Sequence, residues 1–421
     1  MFDGTVINRR IGLIYSIVLF FALVLFGLNS TAKESAVILK GEKRPYSQSS
    51  PWNLEIGPDP KYDELSDYLI ENLAGPFGSN NKHFTIPIYV VDSQTPRQQI
   101  QISHYYSYVT GNGEKLDIKK HVTIAVPIPV EAAPANGTDG NIVLWDPDTG
   151  DEWGFWKAVQ TSSHTWQAKN GYHYNTNWSA VPPSGFQSRG AGVPYFAGLV
   201  RPWEIKEGRI SHAIAFGVNY PNKYLIFPAT KSDGKTLLPY YLPMGARLQL
   251  DPSLSEKDFE IWGLDRAGKI IAKAMQEYGM ILVSGSGHPK IYTEYDKTAN
   301  WKDEIDKNTV RNIPYSAFHV LDRKTHEKPE SPTNLTIEKR QTAITIHWQK
   351  VEWANRYIVK RKKLGEDSFV LLTDMQVNPE YVDTVMFLDK HYRYCVSAVN
   401  HNGISDEVCT ERVNLEQLSS K

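Results

Sequence analysis

The strongest constraint on this chain is a set of short, alternating segments between residues 329 and 413. The stretch begins Pro329-Glu330-Ser331-Pro332-Thr333-Asn334-Leu335 and continues with Ala343-Ile344-Thr345-Ile346-His347-Trp348. A second alternating run covers 356–360. The stretch closes on Tyr392-Arg393-Tyr394-Cys395-Val396-Ser397-Ala398-Val399-Asn400 and then Asn402-Gly403-Ile404-Ser405. Alternation places every second side chain on one face, and the Gly, Asn, Asp and Pro between runs turn the chain back. Strands of this length and spacing describe a small antiparallel sandwich.

The order Pro-x-Asn-Leu, then Trp348, then Tyr-x-Val-x-Ala-x-Asn-x-x-Gly-x-Ser resembles a fibronectin type III domain. The resemblance spans residues 329–415, about a fifth of the chain. It implies a seven-stranded sandwich that spaces or tethers a partner domain. Residues 326–332, charged and with two prolines, read as its linker. Cys395 and Cys409, the only two cysteines, lie symmetrically about the turn near Asn402 and can face each other across the last hairpin. An oxidising compartment permits the bond. Cross-strand disulfides are strained, so two reduced core thiols fit equally well.

At the other end, Arg9-Arg10 precede an apolar run over 11–28 and then Ser30-Thr31-Ala32. A positive segment, an apolar segment and small residues in this order read as a secretory signal peptide over 1–32, cut after Ala32. The alternative is an uncleaved anchor, because the run approaches the ~20 residues that span a bilayer. Either way the expected location is periplasmic or extracellular, with no membrane partner once the signal is cut. The net charge is −1 with no basic block, which argues against a nucleic-acid partner.

Residues 46–325 hold many short alternating segments, at 84–91, 98–108, 121–130, 142–146, 152–159, 210–216 and 223–227, with turn clusters between them. The expected fold is mainly β, an antiparallel sandwich or jelly roll with two or more peripheral helices. One helix is expected over 63–73, with Leu65, Leu69, Ile70 and Leu73 on one face and Gly75 as its stop. The other runs over 265–278, capped by Asp265 and ended by Gly279.

Several strings in this region occur together: Ser50-Pro51-Trp52-Asn53, Asp146-Pro147-Asp148-Thr149-Gly150, Ile210-Ser211-His212-Ala213-Ile214-Ala215-Phe216, Gly245-Ala246-Arg247-Leu248-Gln249-Leu250 and Ala274-Met275-Gln276-Glu277-Tyr278-Gly279-Met280. The combination is similar to a largely uncharacterised group of exported bacterial β-rich proteins. That resemblance implies a secreted, mainly β protein and carries no catalytic residues across.

Tryptophan clustering is the best pointer to a site. Trp145, Trp153, Trp156, Trp166 and Trp178 fall within one short region, with Tyr172 and Tyr174 among them. Residues 142–158 read as a hairpin about Pro147-Asp148-Thr149-Gly150, which sets Trp145 opposite Glu152 and Asp146 opposite Asp151. Ile142, Leu144, Trp153 and Phe155 then share a core face. Trp145, Glu152 and Trp156 share the other, a carboxylate between two indoles, which suits stacking on a sugar ring. The same pattern fits an aromatic core with Glu152 on a solvated rim. His212 falls among Ile210, Ile214 and Phe216, either a satisfied core histidine or a general base at the floor of a concave sheet. His104 and Tyr106 form a second aromatic-histidine segment, and His164 and His173 sit in an aromatic loop.

Asp146-x-Asp148-x-Gly150-Asp151 looks superficially like a calcium loop, but its twelfth position, which needs Glu, is Lys157. The turn explanation is preferred, and no metal or other cofactor is expected. Motifs for a zinc protease or an α/β-hydrolase are missing.

These features point to a secreted polysaccharide-active enzyme whose partner is a polysaccharide or cell-surface glycan. A glycosidase would use Glu152 with Asp146 or Asp151, at about 5–5.5 Å for retention or about 6.5–9.5 Å for inversion. The hairpin register sends Asp146 and Glu152 to opposite faces, which counts against that pair. A lyase would use His212 or a tyrosine as base, with Arg189 or Arg201 neutralising a uronate carboxylate, and is slightly preferred. Trp145, Trp156, His104 and Tyr106 would bind substrate. The rival is a non-catalytic glycan-binding or adhesion protein.

Overall fold

The computed structural model describes residues 42–73, 75–103, 122–182, 189–302, 304–323, 329–340, 343–352, 354, 356–363, 365–366, 368–384, 391–400 and 403–411. His104, Tyr106 and the apolar run at 11–28 lie outside the described residues. Among those described, no helix is long and apolar enough to cross a membrane.

The chain is mainly β, with several sheets and few helices. The hairpin read from sequence forms in the expected register. Strand β4 (Ile142–Trp145) pairs antiparallel with β5 (Asp151–Trp156), Trp145 opposite Glu152 and Leu144 opposite Trp153. The Asp146 carboxylate accepts the main-chain N–H groups of Asp148 and Thr149 at 2.9 and 3.3 Å, and Gly150 takes a φ of 81°. That is an Asx-type turn, so the apparent calcium loop is turn chemistry. Strands β1 (Ile88–Val90) and β8 (Asn170–Asn175) complete this central sheet in the order β1-β4-β5-β8.

A second sheet has the order β3-β2-β7-β6, built from β2 (Arg97–Ile102), β3 (Val122–Pro127), β6 (Val159–Ser162) and β7 (Thr165–Ala168). It meets the first through Ile100, Ile102, Val126 and Trp166 against Ile142, Leu144, Trp153 and Phe155. The core face assigned to the hairpin is therefore right.

A third, five-stranded sheet combines β9 (Ile214–Val218), β12 (Arg247–Leu250), β13 (Met280–Gly285), β14 (Lys290–Ile291) and β15 (Phe318–Val320), in the order β14-β9-β13-β12-β15. Strands β10 (Asn222–Leu225) and β11 (Pro243–Met244) pair beside it. Four of the pairings, β1 with β4, β2 with β7, β9 with β13 and β10 with β11, are parallel. Side-chain alternation is the same in either direction, so an all-antiparallel sheet was the simpler expectation and mixed sheets are what formed.

Among the described residues four α-helices accompany the sheets: α1 (Ser66–Glu71), α2 (Pro202–Glu207), α3 (Glu256–Ile261) and α4 (Arg266–Glu277). In α4 the Asp265 carboxylate accepts the Gly268 N–H at 2.7 Å, and Ile271, Ala274 and Met275 enter the core cluster that holds Leu248 and Ile281. Helix α1 is shorter than expected. Leu65 precedes it and is exposed, while Leu69, Ile70 and Leu73 are buried.

The C-terminal region places β16 (Thr336–Arg340), β17 (Ala343–His347) and β20 (Glu380–Asp383) in one sheet. The other holds β18 (Arg356–Lys363), β19 (Val370–Gln376), β21 (Tyr392–Asn400), β22 (Gly403–Ile404) and β23 (Val408–Cys409). This is the strand order of a fibronectin type III sandwich. Trp348, Tyr357 and Tyr394 fill its interior, and a disulfide joins Cys395 to Cys409, which lie opposite each other in register.

The sandwich is packed against the rest of the chain rather than held at a distance. Tyr357 and Val359 face its own core, but Ile358, between them, joins the main core with Leu371 and Val399. Its Asp374 is fully buried and accepts from the hydroxyls of Tyr174 and, at 2.7 Å, Ser179.

Candidate functional site

The second hairpin face is not an open sugar platform. Trp145 is 1% exposed and Glu152 0%, because that face of the central sheet lies on the main core. Alternation divides a strand into two faces but cannot say whether one, both or neither meets water.

Glu152 is held from three sides. Tyr46 donates its hydroxyl to Oε2 at 2.6 Å, Tyr172 donates to Oε1, and the Phe196 N–H approaches Oε1 at 3.3 Å. Gly154 makes this possible: a Cβ there would lie 2.2 Å from the Tyr172 ring, which crosses β5 at that point. Burial pushes the Glu152 carboxyl up to about 7 in spite of these hydrogen bonds and the nearby Arg189 charge.

His212 and Arg201 belong to a different buried network. His212 lies before β9, not within it, and is 4% exposed. Its Nδ1 is 2.9 Å from the Ala213 carbonyl and its Nε2 is 2.9 Å from Glu204 Oε1. Both nitrogens thus face acceptors, which is the satisfied core histidine rather than a base open to substrate. Glu204, in the first turn of α2, also accepts the Arg201 N–H at 2.9 Å, while Arg201 Nε donates to Glu294 at 2.9 Å. Arg201 is 5.7 Å from the Trp145 ring and 5.0 Å from the Phe196 ring, so it closes the core instead of lining a cleft.

Of the expected residues, Arg189 and Trp156 come together. They line a cavity of ≈ 370 Å³ with Tyr195, Tyr292, Lys231 and Asp233. Arg189 Nη1 donates to the carbonyls of Pro194 and Ala197, at 3.1 and 2.7 Å, which fixes the turn carrying Tyr195. Its Nη2 has no hydrogen-bond partner, and its guanidinium lies 4.8 Å from the Tyr292 ring centre. Glu152 sits beneath this turn: Tyr195 donates its N–H to the Tyr172 hydroxyl at 2.6 Å, and Phe196 follows it.

Lys231 and Asp233 went unnoticed in the sequence because they occupy an irregular loop with no periodicity. Loss of hydration lowers the Lys231 ammonium to about 8, opposed by Asp233 on the exposed rim. Gly190 leaves room for that carboxylate, since a Cβ there would be 2.5 Å from Asp233 Oδ2. Beside the cavity, Lys290 is buried, donates to the Phe84 carbonyl at 2.9 Å, and is likewise lowered to about 8, first by lost hydration. Asp139 opposes that shift and Arg189 adds to it. Two cations, Arg189 and Lys231, and two carboxylates, Asp139 and Asp233, thus line the cavity with Tyr195, Tyr292 and Trp156, and Lys290 stands beside it.

His173 stacks on Trp153 at 4.7 Å and meets Asp151 at 2.9 Å, away from this cavity's lining. Among the described residues, the only His/Cys/Asp/Glu grouping close enough for a metal is Cys395, Glu407 and Cys409. Its two sulfurs are already bonded to each other.

No protein-family profile and no curated protein matches the chain. The solved structures similar to it are fibronectin type III domains. A Fn3-like protein from Clostridium thermocellum is 27% identical over 20% of this chain and 92% of its own, with a TM-score of 0.18. The fn3 domain of human collagen alpha-1(XX) chain is 18% identical over 21% of this chain and 86% of its own, with a TM-score of 0.18. A structure titled FN3tt mut is 17% identical over 21% and 98%, with a TM-score of 0.19. Each of these similarities covers about a fifth of this chain.

Proposed function

We propose that the cavity at Arg189 binds an acidic sugar and that the chain is a polysaccharide-active enzyme of the lyase type. The observation that supports this reading is Arg189 itself: a buried guanidinium with Nη2 unpartnered, in the wall of a cavity that also holds Lys231. A buried donor without a partner is costly, and a uronate carboxylate would supply the acceptor. Tyr195, Tyr292 and Trp156 add aromatic surface to the cavity wall.

In this reading Lys231 replaces His212 as the base. With the carboxylate neutralised by Arg189, the Lys231 amine takes the proton from C5. The C5–H electrons form the C4=C5 double bond and the C4–O bond breaks. The departing oxygen then takes the proton back from the Lys231 ammonium, so no other reactant is needed.

Polygalacturonate, alginate and a neutral glucan should be incubated with the full chain, following the ultraviolet absorbance of the unsaturated product. The rate on an acidic polymer should rise with pH through about 8, because only the deprotonated amine of Lys231 accepts a proton. Lys231→Gln is expected to lose about a hundred-fold or more in turnover while keeping its affinity. Substrate binding with no product from any glycan would overturn the lyase and leave the binding-protein reading.

Export belongs to the same proposal, motivated by the Arg-Arg, apolar, Ser-Thr-Ala order at the N-terminus. Mass spectrometry of the secreted fraction is expected to find a mature chain starting at Lys33. Detection of intact Met1 would refute cleavage.

A further inference from the structure

A larger groove of ≈ 1010 Å³ is lined by residues from 78–83, His288 and residues from 296–311. Lys82, Lys297, Lys302, Lys307 and Arg311 all reach its walls and are exposed, against two carboxylates among the described residues, Asp296 and Asp306. Among the described lining residues the one indole or phenyl-type ring, Trp301, is 3% exposed and donates its Nε1–H to the Glu294 carbonyl at 2.9 Å, while the imidazoles of His83 and His288 are exposed. The described lining is thus cationic and presents no exposed Trp, Tyr or Phe ring.

The same two chain segments lead from groove to cavity. Residues 78–83 line the groove, and Ile86, just beyond, lines the cavity. On the neighbouring segment His288 lines the groove and Tyr292 the cavity, and Gly78 bridges to Lys290 between them. Lys290 stands at this junction, its ammonium 4.9 Å from the Tyr292 ring centre. The charges act on one another along the path. His288 is lowered by lost hydration and then by Lys290 and Arg311, while Arg189 contributes to the lowering of Lys290.

We infer that the groove holds an acidic polysaccharide chain by its successive anionic groups and feeds one uronate to Arg189, so that the substrate is a polymer and not a single sugar. The groove supplies fixed positive charge at several points along its length, which a repeating carboxylate matches. Asn80 and Asn300 add amides for sugar hydroxyls. A single-stranded nucleic acid carries comparable charge but binds largely by stacking its bases on exposed Trp, Tyr or Phe rings, which the described lining lacks.

The last step of the inference, delivery to Arg189, rests on the proposed uronate site, whereas the charge-dependent grip on the chain does not. The triple variant Lys302→Glu, Lys307→Glu, Arg311→Glu changes only exposed side chains. Full-length wild type and variant should be titrated calorimetrically with long polygalacturonate and with its trimer, at low and moderate salt. The variant is expected to lose about ten-fold or more in affinity for the long chain at low salt, with a much smaller loss for the trimer. Equal losses for both lengths, an unchanged variant, or no binding of the long chain by wild type would each overturn the groove. So would equally tight binding of single-stranded DNA with the same loss in the variant, which marks a non-specific cationic surface. A length-dependent loss in a protein that forms no unsaturated product would support the groove while refuting the lyase.

Discussion

Replacing Asp374 by Ala is expected to destabilise the whole chain by about 3–5 kcal/mol, far beyond what a contact in a tethered spacer would cost. Asp374 lies on β19 with no exposed surface and receives the hydroxyls of Tyr174 and Ser179, both from the large β region. The Arg356 charge lies close enough to oppose the upward push that burial gives the Asp374 carboxyl. Without the carboxylate, two buried hydroxyls lose their acceptor and the Arg356 guanidinium loses its counter-charge. Ile358, Leu371 and Val399 pack in the same core cluster as Tyr174, so the interface is apolar around a polar centre. Urea unfolding of the wild type should show one transition reported alike by tryptophan fluorescence and far-ultraviolet circular dichroism. Asp374→Ala should shift the midpoint and split the two signals, and deletion of 329–421 should leave an aggregating remainder. A soluble, fully folded remainder would show that the sandwich is the removable spacer its sequence resemblance implies.

The reason this docking escaped the sequence is specific. Residues 356–360 alternate as in any edge-facing sheet, and Ile358 reads as an ordinary outward apolar residue between Tyr357 and Val359. Isolated exposed apolar side chains are common on soluble proteins and announce nothing by themselves. The hairpin at 142–156 was legible down to its register, because Pro147 and Gly150 fix the turn and the turn fixes which residues oppose. What alternation could not supply was the covering of both faces, which moved Trp145 and Glu152 from a supposed cleft into the core. Arg189 opens a stretch, 189–212, in which histidine, tyrosine and arginine recur, whereas Lys231 and Asp233 sit in an aperiodic loop where only Ser232 and Gly234 hint at a turn. The groove was still less visible, since its cations come from two segments far apart in the chain and nowhere form a block.

Glu152 should make stability fall as pH rises through the range from 4.5 to about 7. Its unfolded carboxyl has the ordinary value of 4.5, and burial raises the folded one to about 7. Below 4.5 both states hold the proton and the contribution is fully present. Between the two values only the folded state holds it, so each unit of pH removes about 1.4 kcal/mol, for a total of about 3 kcal/mol. Above about 7 the loss is complete and the curve flattens. Asp374, raised by burial, acts in the same sense, while His288, lowered chiefly by lost hydration, acts in the opposite one. Lys231 and Lys290 begin to contribute only near 8. The Glu152→Gln variant isolates the carboxyl from all of these, because it keeps the shape and one acceptor for Tyr46 or Tyr172 but cannot ionise. Urea midpoints of wild type and variant, measured at half-unit steps from pH 4.5 to 8, should diverge by about 3 kcal/mol in favour of the variant toward neutral pH. Parallel curves would mean that Glu152 ionises normally and that its two tyrosines hold a carboxylate over most of this pH range. The divergence also bears on the cavity: the Phe196 N–H that meets Glu152 and the Tyr195 N–H that meets Tyr172 belong to the turn that Arg189 clamps. Ionisation of Glu152 therefore acts on the segment that carries Tyr195, just below the pH range where the Lys231 ammonium loses its proton.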